Sequence, residues 1–220
     1  MIDRRCFVGL LVGGAALSAA GLSSAKPKLI NQCRVAIPGS LIESPWLRQA
    51  WAGIDAGLVW DCHVHLAGLG DVGSGVVVAH CASLGDDVSD DGKIRRSFDL
   101  FLKLMDEPRA RDLLHGDISA ITQRNRKPDV IQTLLKRSDL HDRLVHGSDY
   151  PLPGVVPLTS PGTLARVGLL PKAAVGDLDL LRQHNPLFFD FTLKRLLNWQ
   201  GHSFSPAVFQ TRRLFAASLT

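Results

Sequence analysis

Four short apolar runs in this chain end in polar residues of the types that catalyse reactions or bind metal ions, and a helical pattern often follows them. The runs cover residues 58–65, 75–80, 113–119 and 143–149. The valines of the second run favour a buried strand. Strands that alternate with helices indicate a parallel sheet with helical crossovers. The pattern therefore predicts an α/β fold with polar groups at the carboxyl ends of its strands, where such folds place their chemistry.

Helical patterns lie between and after these runs. Apolar residues at helical spacing predict a helix over 97–107. A proline suited to the first turn, followed by an apolar stripe, predicts a second helix over 128–137. An asparagine–proline pair has the character of a cap and first helical residue and predicts a third helix over 185–198. Trp46 and Trp51 are expected in a shorter helix ahead of the first strand.

The first 25 residues have the pattern of a signal peptide. Arg4 and Arg5 precede an uncharged run of apolar and small residues over 7–22. Paired arginines resemble a twin-arginine signal, which exports bacterial proteins that have already folded. The run is shorter than the roughly 20 residues that a membrane span needs, so a permanent anchor is the weaker alternative. We expect residues 1–25 to be a signal and the protein to be periplasmic or secreted, with no stable membrane span after signal removal.

The remaining chain has the composition of an ordinary globular domain, with 45% hydrophobic and 21% charged residues among 220. We expect a lead-in segment over 26–57 and the main domain over 58–220. The net charge is only +4 and the basic residues are scattered, which argues against a nucleic-acid surface. Cys33, Cys62 and Cys81 lack the spacing of a metal site and allow at most one disulfide.

A pair of histidines follows the first apolar run. His63 and His65 are two residues apart on a predicted strand, so their side chains point to the same face. Two neighbouring imidazoles can chelate one metal ion, although the same spacing also arises by coincidence. Asp61 directly before the pair, the apolar strand that leads in and the glycines that follow favour a metal site.

Two segments together resemble motifs of the amidohydrolase superfamily. Asp61–His65, which reads Asp-Cys-His-Val-His, resembles the metal motif on the first strand of that family. His146–Pro151, which reads His-Gly-Ser-Asp-Tyr-Pro, resembles the motif on its last strand. The segments 77–81, 116–119 and 185–187 resemble its sixth strand, its seventh strand and its closing helix. The resemblance implies a (β/α)8 TIM barrel and a metal-dependent hydrolase.

The resemblance also implies the site residues. His63, His65 and Asp149 would hold a divalent metal, usually zinc, and Asp149 would also transfer protons. His80 would face a small-molecule substrate, polarising it or serving a second metal. Metal-activated water would attack a C–N or related bond, with decarboxylation as the sister reaction. Each residue also has a structural alternative, a turn-capping role for Asp149 and core packing for His80.

The spacing of the motifs departs from the family pattern. Only fourteen residues separate His65 from His80, whereas an intact barrel has four strand–helix units, on the order of 120 residues, between those positions. The histidine of the family's fifth strand is missing with them. We therefore expect an incomplete (β/α)8 TIM barrel, with strands resembling 1, 6, 7 and 8. It would arise either as a deletion variant or as a natural short form that pairs with another copy, and its open edges favour self-association.

Two other functions stay open on the sequence. The first is a non-catalytic remnant of such an enzyme, which the missing histidine favours. The second is an exported structural or partner-binding protein in which the histidines are incidental. Bound metal would distinguish the enzyme and the remnant from the structural or partner-binding protein. Turnover would then distinguish the enzyme from the remnant.

Overall fold

The computed structural model describes residues 27–30, 36–63 and 76–212. The strands are β1 (Lys28–Leu29), β2 (Val76–Val78), β3 (Asp86–Val88), β4 (Ile94–Arg96), β5 (Leu114–Asp117), β6 (Leu144–Val145) and β7 (Val155–Val156). The helices are α1 (Gly39–Ile42), α2 (Pro45–Trp51), α3 (Ser97–Asp106), α4 (Pro128–Lys136), α5 (Pro161–Arg166), α6 (Val175–His184) and α7 (Pro186–Leu196). Short 3-10 helices connect several of these elements.

The central sheet is parallel and has the strand order β2-β5-β6. Val77 lies opposite His115 between β2 and β5, and Gly116 lies opposite Leu144 between β5 and β6. α3 lies on the connection into β5, and α4 lies on the connection from β5 to β6. Two antiparallel pairs, β3 with β4 and β1 with β7, form separate two-stranded sheets.

The expected incomplete (β/α)8 TIM barrel is wrong. The described residues form a mixed α/β fold with one three-stranded sheet and two two-stranded sheets. The described part of the expected first strand is not a strand, because a 3-10 helix occupies Ala56–Leu58 and residues 59–63 form no ladder. Strands of two to four residues in this order make an open sheet, since a barrel requires tilted, staggered neighbours all the way around.

The three longer helices predicted from periodicity and capping are confirmed. α3 and α4 end within one residue of the expected positions. α7 begins as predicted, with Asn185 as the cap that accepts a hydrogen bond from the Phe188 N–H at 2.9 Å, and ends two residues early. α2 contains Trp46 and Trp51, as expected. Local signals sufficed here because caps and apolar stripes act within a few residues of the helix itself.

One continuous core joins the lead-in segment to the end of the described chain. Leu47 of α2 and Phe189 of α7 belong to the same buried cluster as Phe209. The ring of Trp51 lies 4.6 Å from that of Phe191, which fixes α2 against α7. Residues ahead of the predicted domain boundary therefore contribute to the main core.

Several sequence predictions fall outside the described residues, among them the signal peptide (1–25) and Cys33. Cys62 and Cys81 are both buried free thiols. Within the parts of the chain that the structure describes, the helices lack the combined length and apolar character needed to cross a membrane.

Candidate metal centre

The candidate site lies where the parallel strands of the central sheet end. His80 follows β2, Asp117 is the last residue of β5, and Asp149 lies in the loop after β6. The carboxyl ends of parallel strands meet at one edge of a sheet, so these three side chains come from neighbouring positions there. The fourth residue, His63, arrives from the segment ahead of the sheet.

His63 is held against the loop after β6 by the backbone. The Cys62 N–H donates to the His146 carbonyl oxygen at 3.0 Å. A Cβ atom at Gly147 would lie 2.8 Å from the Cβ of His63 and 2.9 Å from its backbone nitrogen. Because backbone cannot move aside cheaply, glycine is needed at 147 for this approach.

Asp61 ties the same two segments together. It accepts a hydrogen bond from the Ser148 N–H at 2.9 Å and another from the Ser148 hydroxyl. Burial acts to raise the pKa of Asp61, but its hydrogen bonds, mainly with Ser148, outweigh burial and lower that pKa. Asp61 also accepts a hydrogen bond from the His63 N–H at 3.3 Å. It therefore positions His63 directly and Asp149 through Ser148, the residue before it.

Two site residues adopt a left-handed backbone conformation. His80 has φ 56° and ψ 21°, in a tight turn that continues through Cys81, and Asp149 has φ 57°. The turn places the His80 N–H 3.0 Å from Asp117 Oδ1, to which it donates. Such conformations are costly outside glycine and concentrate at functional sites.

His63, His80 and Asp149 converge on a small volume. His63 Nε2 lies 3.2 Å from Asp149 Oδ1, and His80 Nε2 lies 3.9 Å from Asp149 Oδ2. The two imidazole rings stack with centroids 4.8 Å apart. One ligand atom from each of the three residues lies within 4.8 Å of the others, a spacing that fits a shared metal ion.

Asp117 and Ser119 contact the Nδ1 side of the imidazoles, away from Asp149. His63 Nδ1 lies 2.9 Å from Asp117 Oδ2 and 2.9 Å from Ser119 Oγ. His80 Nδ1 lies 2.6 Å from Ser119 Oγ, and the Ser119 hydroxyl donates to Asp117 Oδ1. Since that hydroxyl proton is engaged by Asp117, Ser119 accepts from His80, which puts the His80 proton on Nδ1. Both histidines thus turn Nε2 towards Asp149.

The charges of the cluster follow from these contacts. The hydrogen bonds with Asp117 and then Asp149 raise the pKa of His63 to about 9. Burial lowers the pKa of His80, so that imidazole is neutral at pH 7. Burial acts to raise the pKa of Asp117, but its hydrogen bonds outweigh burial and lower it. The extra proton of His63 competes with a metal ion, which binds neutral imidazole.

A buried ion pair supports the site from below and was missed in the sequence analysis. Lys194 Nζ donates to Asp190 Oδ2 at 2.5 Å and to the Gly147 carbonyl oxygen at 2.7 Å. Both side chains are buried in α7. Burial raises the pKa of Asp190 to about 7. An aspartate and a lysine four residues apart within a Phe- and Leu-rich helix were the available signal.

The structure brings together three of the four predicted site residues, His63, His80 and Asp149. His65 lies outside the described residues, so its role as a ligand stays a prediction. Asp117 and Ser119, which belong to the segment that resembles the family's seventh strand, hold the two imidazoles. No family model, curated protein or solved structure matches this chain.

Proposed function

We propose that this protein is a metal-dependent hydrolase of the amidohydrolase type, acting on a C–N or related bond of a small molecule. The observation that carries the proposal is the pair of imidazoles fixed through Nδ1, with both Nε2 atoms directed at the carboxylate of Asp149. The motif resemblance of Asp61–His65 and His146–Pro151 supports it. The chain repeats neither motif elsewhere.

The donor set fits a divalent metal such as zinc. Imidazole nitrogen and carboxylate oxygen are the ligands zinc prefers, and a catalytic zinc site has three protein ligands and an open position. His63, His80 and Asp149 supply three such ligands. A histidine ligand characteristically donates its other N–H to a carboxylate, which is the relation of His63 to Asp117. His65, by resemblance, belongs to the same set.

The chemistry divides between the metal and the protein. When bound, a divalent metal lowers the pKa of water to about 7 and polarises a substrate carbonyl. Asp149 accepts the proton of the attacking water and returns it to the leaving nitrogen, since its two oxygens lie beside both histidines. Asp117 and Ser119 hold the imidazoles in place throughout. Side-chain exposures of 11% for His63 and 14% for Asp149 leave a narrow opening to solvent.

Metal stoichiometry is the first test. Elemental analysis of the purified, zinc-loaded chain is expected to give about one zinc ion per chain, because the site has one set of convergent ligands. The variants His63→Ala, His80→Ala and Asp149→Ala are expected to lose it. His202→Ala is the matched control, since His202 is exposed and outside the cluster. His65→Ala tests the remaining predicted ligand.

Turnover separates an enzyme from a remnant that only binds metal. A panel of small amides and esters, assayed with and without a chelator, is expected to yield hydrolysis that zinc restores. A folded wild-type chain that holds no zinc, manganese or iron would contradict the proposal. Bound zinc without turnover of any substrate would favour the non-catalytic remnant. Export of the protein stays a prediction, tested by cell fractionation.

A further inference from the structure

Arg126 has buried nitrogen atoms that no other residue satisfies. Its Nε and Nη1 atoms are inaccessible to solvent and have no hydrogen-bond partner in the described parts of the chain. Burying an ionic donor without a partner costs several times more than burying a satisfied one. The loop after β5 therefore holds a guanidinium with two buried nitrogen atoms whose hydrogen-bonding capacity is unused.

The surroundings of Arg126 suit an anionic ligand. Arg126 lines a pocket of about 130 Å³ between the loop after β5 and α5. Arg124 and Lys127 also line it, together with the hydroxyl residues Ser160 and Thr163, and the lining contains no acidic residue. The Thr163 hydroxyl donates to Ser160 Oγ at 3.1 Å, so the pocket combines positive charge with the hydroxyl of Ser160. Positive charge around a small cavity favours oxyanions.

Arg126 also belongs to the electrostatic environment of the metal cluster. It lies on the loop that starts with Asp117 and Ser119 and leads into α4. Burial lowers the pKa of Arg126, and the negative charge of Asp149 opposes that change. Arg126 thus shares a loop with the two residues that hold the imidazoles, and its charge interacts with that of Asp149.

We propose that Arg126 binds a carboxylate group of the substrate, which makes the substrate a small carboxylic acid that also carries the bond to be hydrolysed. That this ligand is a substrate rests on the proposed function, whereas the binding of a carboxylate at Arg126 is independent of it. A planar guanidinium matches the geometry of a carboxylate. Arg124 and Lys127 are exposed, so solvent screens their charges, and a monoanion balances the remaining charge of Arg126. A dianion such as phosphate retains excess negative charge that Asp149 repels.

Equilibrium binding to the metal-free chain tests the proposal without using activity. Acetate and N-acetylglycine are the carboxylate probes, acetamide and N-acetylglycinamide are their neutral counterparts, and inorganic phosphate is the dianion. Titrations followed by NMR at millimolar concentrations give each dissociation constant. The variants are Arg126→Gln and Arg126→Lys, with Arg111→Gln as control, because Arg111 is exposed and precedes the opposite end of β5.

The carboxylates are expected to bind wild type and Arg111→Gln alike, and at least about tenfold more weakly to Arg126→Gln, since a hydrogen-bonded charge pair is lost. Arg126→Lys keeps the positive charge, and its affinity for the carboxylates is expected to lie between those of wild type and Arg126→Gln. Circular dichroism and zinc stoichiometry establish that each variant is folded. Equal binding of the neutral probes, tighter binding of phosphate, an unaffected Arg126→Gln, or no carboxylate binding to wild type would each overturn the proposal.

The two proposals fail separately. Zinc binding and turnover with no Arg126-dependent carboxylate binding would remove this inference and leave the hydrolase standing. Arg126-dependent carboxylate binding by a chain that holds no metal would sustain the anion site and remove the hydrolase.

Discussion

The histidines of this protein differ in what their surroundings do to the affinity for protons. Carboxylates on both sides raise the pKa of His63 to about 9. His146, only one residue from the glycine that contacts His63, packs instead against the rings of Phe191 and Phe209. Burial there lowers the pKa of His146 to about 3. His146 is therefore a neutral core residue, and its part in the motif is structural.

This difference predicts a pH dependence of stability. An unfolded chain protonates His146 near pH 6.5, whereas the folded chain does so only near pH 3, so proton uptake favours unfolding between these values. As the pH falls through this range, His146 is expected to lower the wild-type free energy of unfolding by about 1.4 kcal/mol for each pH unit. In His146→Phe that contribution disappears, and urea denaturation at pH 7, 6, 5 and 4 measures the difference. His202→Ala, at an exposed position, is the control; an unchanged slope in His146→Phe would contradict the prediction.

At the scale of elements, α7 connects the hydrophobic core with the metal cluster. Its apolar residues Phe189 and Leu193 are fully buried, while Lys194 reaches the carbonyl of Gly147 in the loop that carries Asp149. Asp190, one helical turn earlier, neutralises the buried ammonium group. The helix thus fixes the position of that loop relative to the core.

Removing one member of this pair is expected to be costly. Lys194→Met should lower the free energy of unfolding by about 3–5 kcal/mol at pH 8, because Asp190 loses its partner and must either stay buried as an uncompensated charge or take up a proton. Asp190→Leu combined with Lys194→Met should recover most of that loss, since no buried charge remains. Guanidinium chloride denaturation measures both. Lys136→Met, an exposed lysine of α4, is the control; a double variant no more stable than Lys194→Met would refute the account.

At the scale of the whole molecule, the segment ahead of the sheet is part of the core. Leu41 and Ala50 are buried with residues as far along the chain as Phe209. Arg195 of α7 donates to the carbonyl oxygen of Ala50 at 2.7 Å, so polar contacts also join the two parts. Contacts over this sequence separation form only when the entire core forms.

A shared core predicts one unfolding transition. Tryptophan fluorescence reports on Trp46 and Trp51 in α2, on Trp60 and on Trp199 near α7. It is expected to change at the same denaturant concentration as the far-ultraviolet circular dichroism. Independent unfolding of the lead-in segment would instead give a fluorescence change at lower denaturant. Trp51→Phe, which keeps an aromatic ring against Phe191, separates the signal of this contact from that of the others.

Part of the candidate site was open to prediction from the sequence. His63, His80 and Asp149 were identified because each follows an apolar run and because the motifs resemble those of a known superfamily. Their convergence required the parallel pairing of β2 with β5 and β5 with β6. The anchoring of Nδ1 by Asp117 and Ser119 needed, in addition, the left-handed turn at His80, a conformation that only a few per cent of non-glycine residues adopt.

Local sequence signals predicted α2, α3, α4 and α7, because caps such as Asn185 and apolar stripes act over one or two turns, whereas α1, α5 and α6 were not predicted. The sequence by itself also determined which polar residues end the apolar runs. Only the tertiary structure showed that residues 59–63 form no strand, that the sheet of the described residues is open, that Lys194 is buried, and that Nε and Nη1 of Arg126 are shielded from solvent. Strand pairing and burial depend on partners far along the chain, and the energy of a buried charge depends on what surrounds it rather than on its neighbours in sequence.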